Sequence, residues 1–173
     1  MRLKALPLAL TVPALLIAIA CTSKPQPTYK DSVKTALEQA ELKDVSVSED
    51  KDRNTITLGG TVHSDDAKQK AGDIAKANAG GRIVANEVSV QPVGDESAAK
   101  NMASDLDDGI EKTYKAARIS KGLDKQYIRF DAKNGVLTLK GSVKTPTQRA
   151  AAQQLAQTVP NVQQVLNEID VRP

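Results

Sequence analysis

Thr57-Leu58-Gly59-Gly60-Thr61-Val62 returns further along the chain as Thr138-Leu139-Lys140-Gly141-Ser142-Val143. From there to the C-terminus the two copies align without a gap at an offset of 81 residues. Leu58/Leu139, Gly60/Gly141, Val62/Val143, Ala71/Ala152, Ala75/Ala156, Val84/Val165, Asn86/Asn167, Glu87/Glu168, Val90/Val171 and Pro92/Pro173 are identical. Identity spread over a strand, a helix and a second strand marks a duplicated domain. Each copy holds about 65 residues, near the lower limit for an independent core. Phe130, Tyr29, Tyr114 and Tyr127 are the only aromatics, so both cores must be small and aliphatic.

In chain order each copy reads α-β-β-α-β. Val33, Ala36, Leu37 and Ala40 form one stripe of a helix over residues 29–42. Val45 and Val47 alternate with serines, a polar run at 50–54 turns the chain, and Ile56, Leu58, Gly60 and Val62 face one side of the next strand. Ser64 caps a helix that Gly80-Gly81 ends, and Val84, Val88 and Val90 supply the last strand. The second copy opens on a helix of about five turns, with Met102, Leu106, Ile110 and Tyr114 recurring every four residues and Leu106, Ile110 and Tyr114 expected to face the sheet. Asn134-Gly135 signals a type I′ hairpin, and Thr145-Pro146-Thr147-Gln148 a capping box with proline at the first helical position. The expected fold class is α+β: tandem α-β-β-α-β units, each a small mixed sheet with two helices on one face. Gly60 and Gly141 fit close approach of a helix to mid-strand. Asn86 and Asn167, in phase with buried neighbours, suit a bond to a nearby helix or loop carbonyl.

The units differ in charge. Residues 29–92 carry nine Lys/Arg against eleven Asp/Glu, and residues 106–173 carry eleven against seven. The basic second unit suits an anionic surface. Without stacking aromatics or dense Arg/Lys clusters, nucleic acid is not an expected partner. With His63 the single histidine, no His-based metal cluster is available, and no acyl-transfer motif stands out. Asp65/Asp66 and Asp107/Asp108 read as helix-start charges. No catalytic residue, cofactor or metal ligand is assigned, and the chain is read as non-enzymatic.

Arg2 and Lys4 precede an apolar stretch from Leu6 to Ala20, broken by Pro7 and Pro13. It is short for a membrane span and suits a secretory signal peptide. Ile17-Ala18-Ile19-Ala20-Cys21 resembles the lipobox of bacterial lipoproteins, with Ala18 where Leu is usual. That resemblance makes Cys21 the acylated residue, and several chains on one residue meet the condition for stable anchoring. The alternative is an ordinary signal peptide cut near Ala20 that leaves Cys21 free. Thr22, where an inner-membrane lipoprotein often has Asp, implies the outer membrane by the same resemblance. The expected division is residues 1–20 signal peptide, 21–28 tether, 29–92 first domain, 93–100 linker and 101–173 second domain.

Leu58-x-Gly60-x-Val62, Ala71, Ala75 and Val84-x-Asn86-x-Val88-x-Val90, with their counterparts Leu139-x-Gly141-x-Val143, Ala152, Ala156 and Val165-x-Asn167-x-Ile169-x-Val171, resemble a pair of BON domains. Gly80-Gly81-Arg82 departs from the usual form, to which Pro160-Asn161-Val162 is closer. With the lipobox, the arrangement is similar to dual-BON outer-membrane lipoproteins, one branch of which binds anionic phospholipid through its second domain. A soluble, osmotically induced periplasmic branch has the same domains without the anchor.

The resemblance implies a lipid-anchored, periplasm-facing protein of envelope integrity whose partner is an anionic phospholipid membrane. It places the lipid contact on the first helix of the second unit, where Lys112, Tyr114, Lys115, Arg118, Ile119 and Lys121 are the candidates and Lys125 continues the positive run. The bland alternative is a solvated helix face beside a core Tyr. A rival function is an adaptor or chaperone for outer-membrane or periplasmic proteins, using the strand faces Thr55/Thr57/Thr61 and Val136/Thr138/Ser142. A small-ion module is a third reading, but the additional domain expected of that type is lacking.

Overall fold

The computed structural model describes residues 28–172. The expected signal peptide, Cys21 and most of the tether lie outside the described residues. The first unit runs α1 (Tyr29–Gln39), β1 (Val45–Asp50), β2 (Thr55–Val62), α2 (Asp65–Asn78), β3 (Ile83–Asn86) and β4 (Ser89–Val90). The second runs α3 (Glu96–Ser120), β5 (Tyr127–Lys133), β6 (Val136–Val143), α4 (Pro146–Gln157) and β7 (Gln164–Val171). In both, an antiparallel hairpin is followed by a parallel return strand. The architecture is the expected tandem of α-β-β-α-β units with small mixed sheets. The last strand of the first unit is interrupted between Asn86 and Ser89, where Glu87 N–H bonds the Leu58 carbonyl at 2.9 Å.

Local chemistry explains the element ends. Thr28 with Asp31, and Thr145 with Gln148, form reciprocal capping boxes, and Pro146 opens α4 where no amide donor is needed. The Ser64 hydroxyl accepts from Ala67 N–H at the start of α2. Asn134 and Gly135 both hold positive φ, 48° and 83°, as a two-residue type I′ turn requires. Inside, Val33, Leu37, Ile56, Leu58, Ala71 and Ala75 build the first core. Ile110, Tyr114, Leu137, Leu139, Ala152 and Ala156 build the second. The twin asparagines bond helix carbonyls: Asn86 Nδ2 to Lys68 O at 2.8 Å, and Asn167 Nδ2 to Arg149 O at 3.3 Å.

Three expectations are corrected. The helix opening the second unit is longer than its apolar stripe, starting at Glu96 and running 25 residues. Its first half outruns the sheet, so Leu106 is 46% exposed rather than buried against it, and Met102 is 65% exposed. The mid-strand glycines admit a neighbouring strand, not a helix: a Cβ on Gly60 would overlap the Asp44 carbonyl, and one on Gly141 the Tyr127 carbonyl. Both also sit at positive φ, 93° and 124°.

The strand faces reserved for an adaptor are partly consumed: Thr55, Val136 and Thr138 are buried, and Thr57, Thr61 and Ser142 are half-buried. Ala85, Val136 and Leu166 form a buried cluster of their own, with Thr55 and Thr138 also buried. On both sheets these residues alternate with the helix-facing ones, so the two units pack through the sheet faces that their own helices leave bare. The contact is reciprocal, as in an isologous dimer. Arg53 Nε of the first hairpin lies 3.0 Å from Glu168 Oε2. That approach is off-axis for a hydrogen bond, and charge attraction carries it. Around the second hairpin, Lys133 pairs with Glu87 at 2.9 Å and Asn134 Nδ2 bonds the Glu87 carbonyl at 2.8 Å. Gln164 adds an amide clasp on β3, donating to Val84 O at 2.6 Å and accepting from Asn86 N–H at 3.3 Å.

Candidate functional site

The basic end of the second unit is built by α3, the loop after it and the start of β5. Ile110, Tyr114 and Arg118 face inward along α3. Lys112, Lys115 and Ile119, spaced i, i+3, i+7, therefore share an outward strip. Ile119 is 58% exposed. Lys121 and Lys125 stand exposed in the loop. Tyr127 and Arg129 are exposed on β5, on the face opposite Ile128, and the Arg129 guanidinium lies 5.6 Å from the Tyr127 ring centroid. Among the described residues, none of Lys112, Lys115, Lys121, Lys125 and Arg129 joins an ion pair. Asp124 is the one carboxylate in the loop.

Two of the six sequence candidates do not belong to this surface. Tyr114 is fully buried, stacks edge-on against Phe130 at 5.1 Å and donates to the Ala152 carbonyl at 3.3 Å. Burial pushes its phenol up to about 12, against an ordinary 10.0, and the same burial keeps it from a lipid headgroup. Arg118 is 7% exposed. Its guanidinium donates to the carbonyls of Ile128 at 3.0 Å, Leu123 at 3.2 Å and Gln126 at 3.3 Å, and lies 5.4 Å from the Phe130 ring centroid. It fastens the loop and the start of β5 to the end of α3, which holds the exposed cations in place. One turn or more earlier, Glu111 accepts from Ala132 N–H at 3.0 Å. Tyr127 and Arg129 were not among the sequence candidates. The alternation of β5 around Ile128 and Phe130 was the signal that puts them outside.

Among the described residues no group of three His, Cys, Asp or Glu is placed to hold a metal, and no helix is long and apolar enough to cross a membrane. Asp65 and Asp66 stand in the first turn of α2 as expected, but Asp107 and Asp108 lie in the middle of α3 and not at a helix start, because that helix begins at Glu96. Asp107 accepts from Asn134 N–H at 2.7 Å and Gly135 N–H at 3.0 Å, bracing the hairpin.

Two packed α-β-β-α-β units, the second with a bare cationic end, define the class. The chain belongs to the BON domain family, whose model matches residues 27–92 and again 106–173. BON domains are non-catalytic, commonly periplasmic and generally associated with phospholipid binding. No curated protein matches the sequence at a significant level.

Among solved structures, the C-terminal domain of CdsD, a structural protein of the type III secretion system of Chlamydia trachomatis, is 13% identical with a TM-score of 0.34. That alignment covers 82% of this chain and 96% of that one. A second CdsD structure, also 13% identical with a TM-score of 0.34, aligns over 84% of this chain and 62% of its own length.

Proposed function

We propose that this protein is a periplasm-facing outer-membrane lipoprotein, acylated at Cys21, that supports the envelope by contacting anionic phospholipid with the basic end of its second BON domain. The observation that carries the reading is the group of five exposed cations without carboxylate partners, set around the exposed Ile119. Near an anionic bilayer each well-placed cation contributes about 1 kcal/mol, and a protruding apolar side chain adds burial in the headgroup region. Arg118 and Tyr114 serve by shaping this end. The adaptor reading keeps less surface, because Thr55, Val136 and Thr138 lie buried between the units and Thr57, Thr61 and Ser142 are only partly exposed.

Sedimentation of unacylated residues 28–173 with vesicles tests the contact. Recovery is expected with phosphatidylglycerol vesicles and not with phosphatidylcholine. The triple variant K112E/K115E/K121E is expected to bind roughly 100-fold more weakly, since three contributions of about 1 kcal/mol each are lost. Equal recovery with both vesicle types, or a triple variant that binds like wild type, would sink the lipid reading. The anchor is read separately as the mass of the N-terminal peptide of the cellular protein: a diacylglyceryl and acyl increment on Cys21 is expected, and a bare thiol there excludes it.

A further inference from the structure

We propose that this chain associates head to tail with copies of itself, the basic end of α3 in one molecule seating against an acid-rimmed apolar groove at the opposite end of α3 in the next. The groove, about 510 Å³, lies between the first half of α3, the end of the first unit and the loop before β7. Val90, Pro92, Met102, Leu106 and Val162 supply its apolar lining, and Met102 and Leu106 belong to neither core. Its charged lining is Asp65, Asp107 and Lys68, with Asp105 exposed on the same helix. Lys68 donates to the Asn134 carbonyl at 2.9 Å and Asp107 accepts from the Asn134 and Gly135 amides, so Asp65 is the lining charge that has no partner among the described residues.

The occupant follows from charge. Residues 95–111 hold six acids (Asp95, Glu96, Asp105, Asp107, Asp108, Glu111) and one base, Lys100. Residues 112–129 hold six bases (Lys112, Lys115, Arg118, Lys121, Lys125, Arg129) and one acid, Asp124. An apolar groove among carboxylates is complementary to an exposed Ile119 among lysines, and an anionic bilayer is excluded from it by the same carboxylates. Leu106 and Ile119 stand 13 residues apart on one straight element, about 20 Å along its axis, so the two ends of one molecule cannot meet. The complement has to come from another copy. Because the two surfaces differ, the contact is heterologous and adds further copies, as an open chain or a closed ring according to its rotation.

Sedimentation velocity on residues 28–173, which contain every element of both cores, tests this without lipid. Over about 10 µM to about 1 mM, the range of small transient interfaces, the weight-average mass of wild type is expected to rise about twofold or more and to fall back with added salt. D65K/D105K and K112E/K115E are each expected to remain monomeric, carrying like charges on both surfaces. Mixed in equal amounts they are expected to regain the wild-type growth, since each then meets an opposite surface. Leu106→Ser is expected to block association without altering any helix terminus. A wild-type mass that stays monomeric overturns the proposal, as does growth that the variants leave unchanged or a mixture that fails to recover. Vesicle sedimentation of D65K/D105K reads the lipid contact independently: lipid binding retained while self-association is lost separates the two surfaces.

Discussion

Arg118→Ala is expected to destabilise the second unit by about 3 kcal/mol in urea or thermal unfolding, although the residue looks like one more member of a cationic helix. The side chain satisfies three carbonyls, those of Ile128, Leu123 and Gln126, and nearly all of it is out of water. Truncation takes the guanidinium donor from the Ile128 carbonyl, leaves the Leu123 and Gln126 carbonyls only their backbone donors (Gln126 N–H at 3.4 Å and Ile128 N–H at 2.8 Å), and opens a gap beside Phe130. A buried acceptor left unpaired costs about 1–3 kcal/mol, and the lost packing beside Phe130 adds to it. For a domain of this size that is a large share of the total stability. The same substitution, assayed where the protein is still folded, is expected to leave vesicle binding close to wild type. A variant that unfolds normally but loses vesicle binding would return Arg118 to the lipid surface.

Gly141→Ala is expected to cost about 3–4 kcal/mol, and Gly60→Ala a similar amount in the first unit, from two sources that add. At φ 124° an alanine is strained whatever surrounds it. Its methyl would also overlap the Tyr127 carbonyl oxygen, which is backbone and cannot swing aside. Gly109→Ala is the control: that glycine lies in α3 with open space where a Cβ would go, so the change is expected to stabilise by about 0.5–1 kcal/mol. Urea midpoints of the three variants check the prediction, and a Gly141→Ala protein as stable as wild type would show that β5 can retreat from β6 at no cost.

Much of the fold was legible because periodicity, caps and turns agreed with the repeat. Thr145 to Gln148, Asn134-Gly135 and the twin asparagines each do in three dimensions what their chemistry suggested. What was missed lay where one copy carries out the other's task with different residues. Arg118 occupies the place of Leu37: Leu123 N–H bonds the Arg118 carbonyl as Leu42 N–H bonds that of Leu37, each at 2.9 Å. Tyr114 likewise stands at the place of the buried Val33. Extending the alignment backwards would have marked both as interior; the four-residue period already pointed Tyr114 at the sheet, while the charge of Arg118 pointed it outward. The packing of the units was hidden for a different reason. Thr55 and Thr138 are polar enough to pass for solvent-facing positions, and only the opposite sheet shows that they are covered.

The side chains of Arg118 and Glu111 have a consequence beyond holding β5 in place. They already occupy the outward carbonyl at 128 and the outward amide at 132, the groups that an incoming strand would need. The amide of Gln164 does the same for β3. At these two rims a strand from a crowded neighbour finds the carbonyls of Ile128 and Val84 and the amides of Ala132 and Asn86 already taken, which disfavours sheet-to-sheet recruitment there.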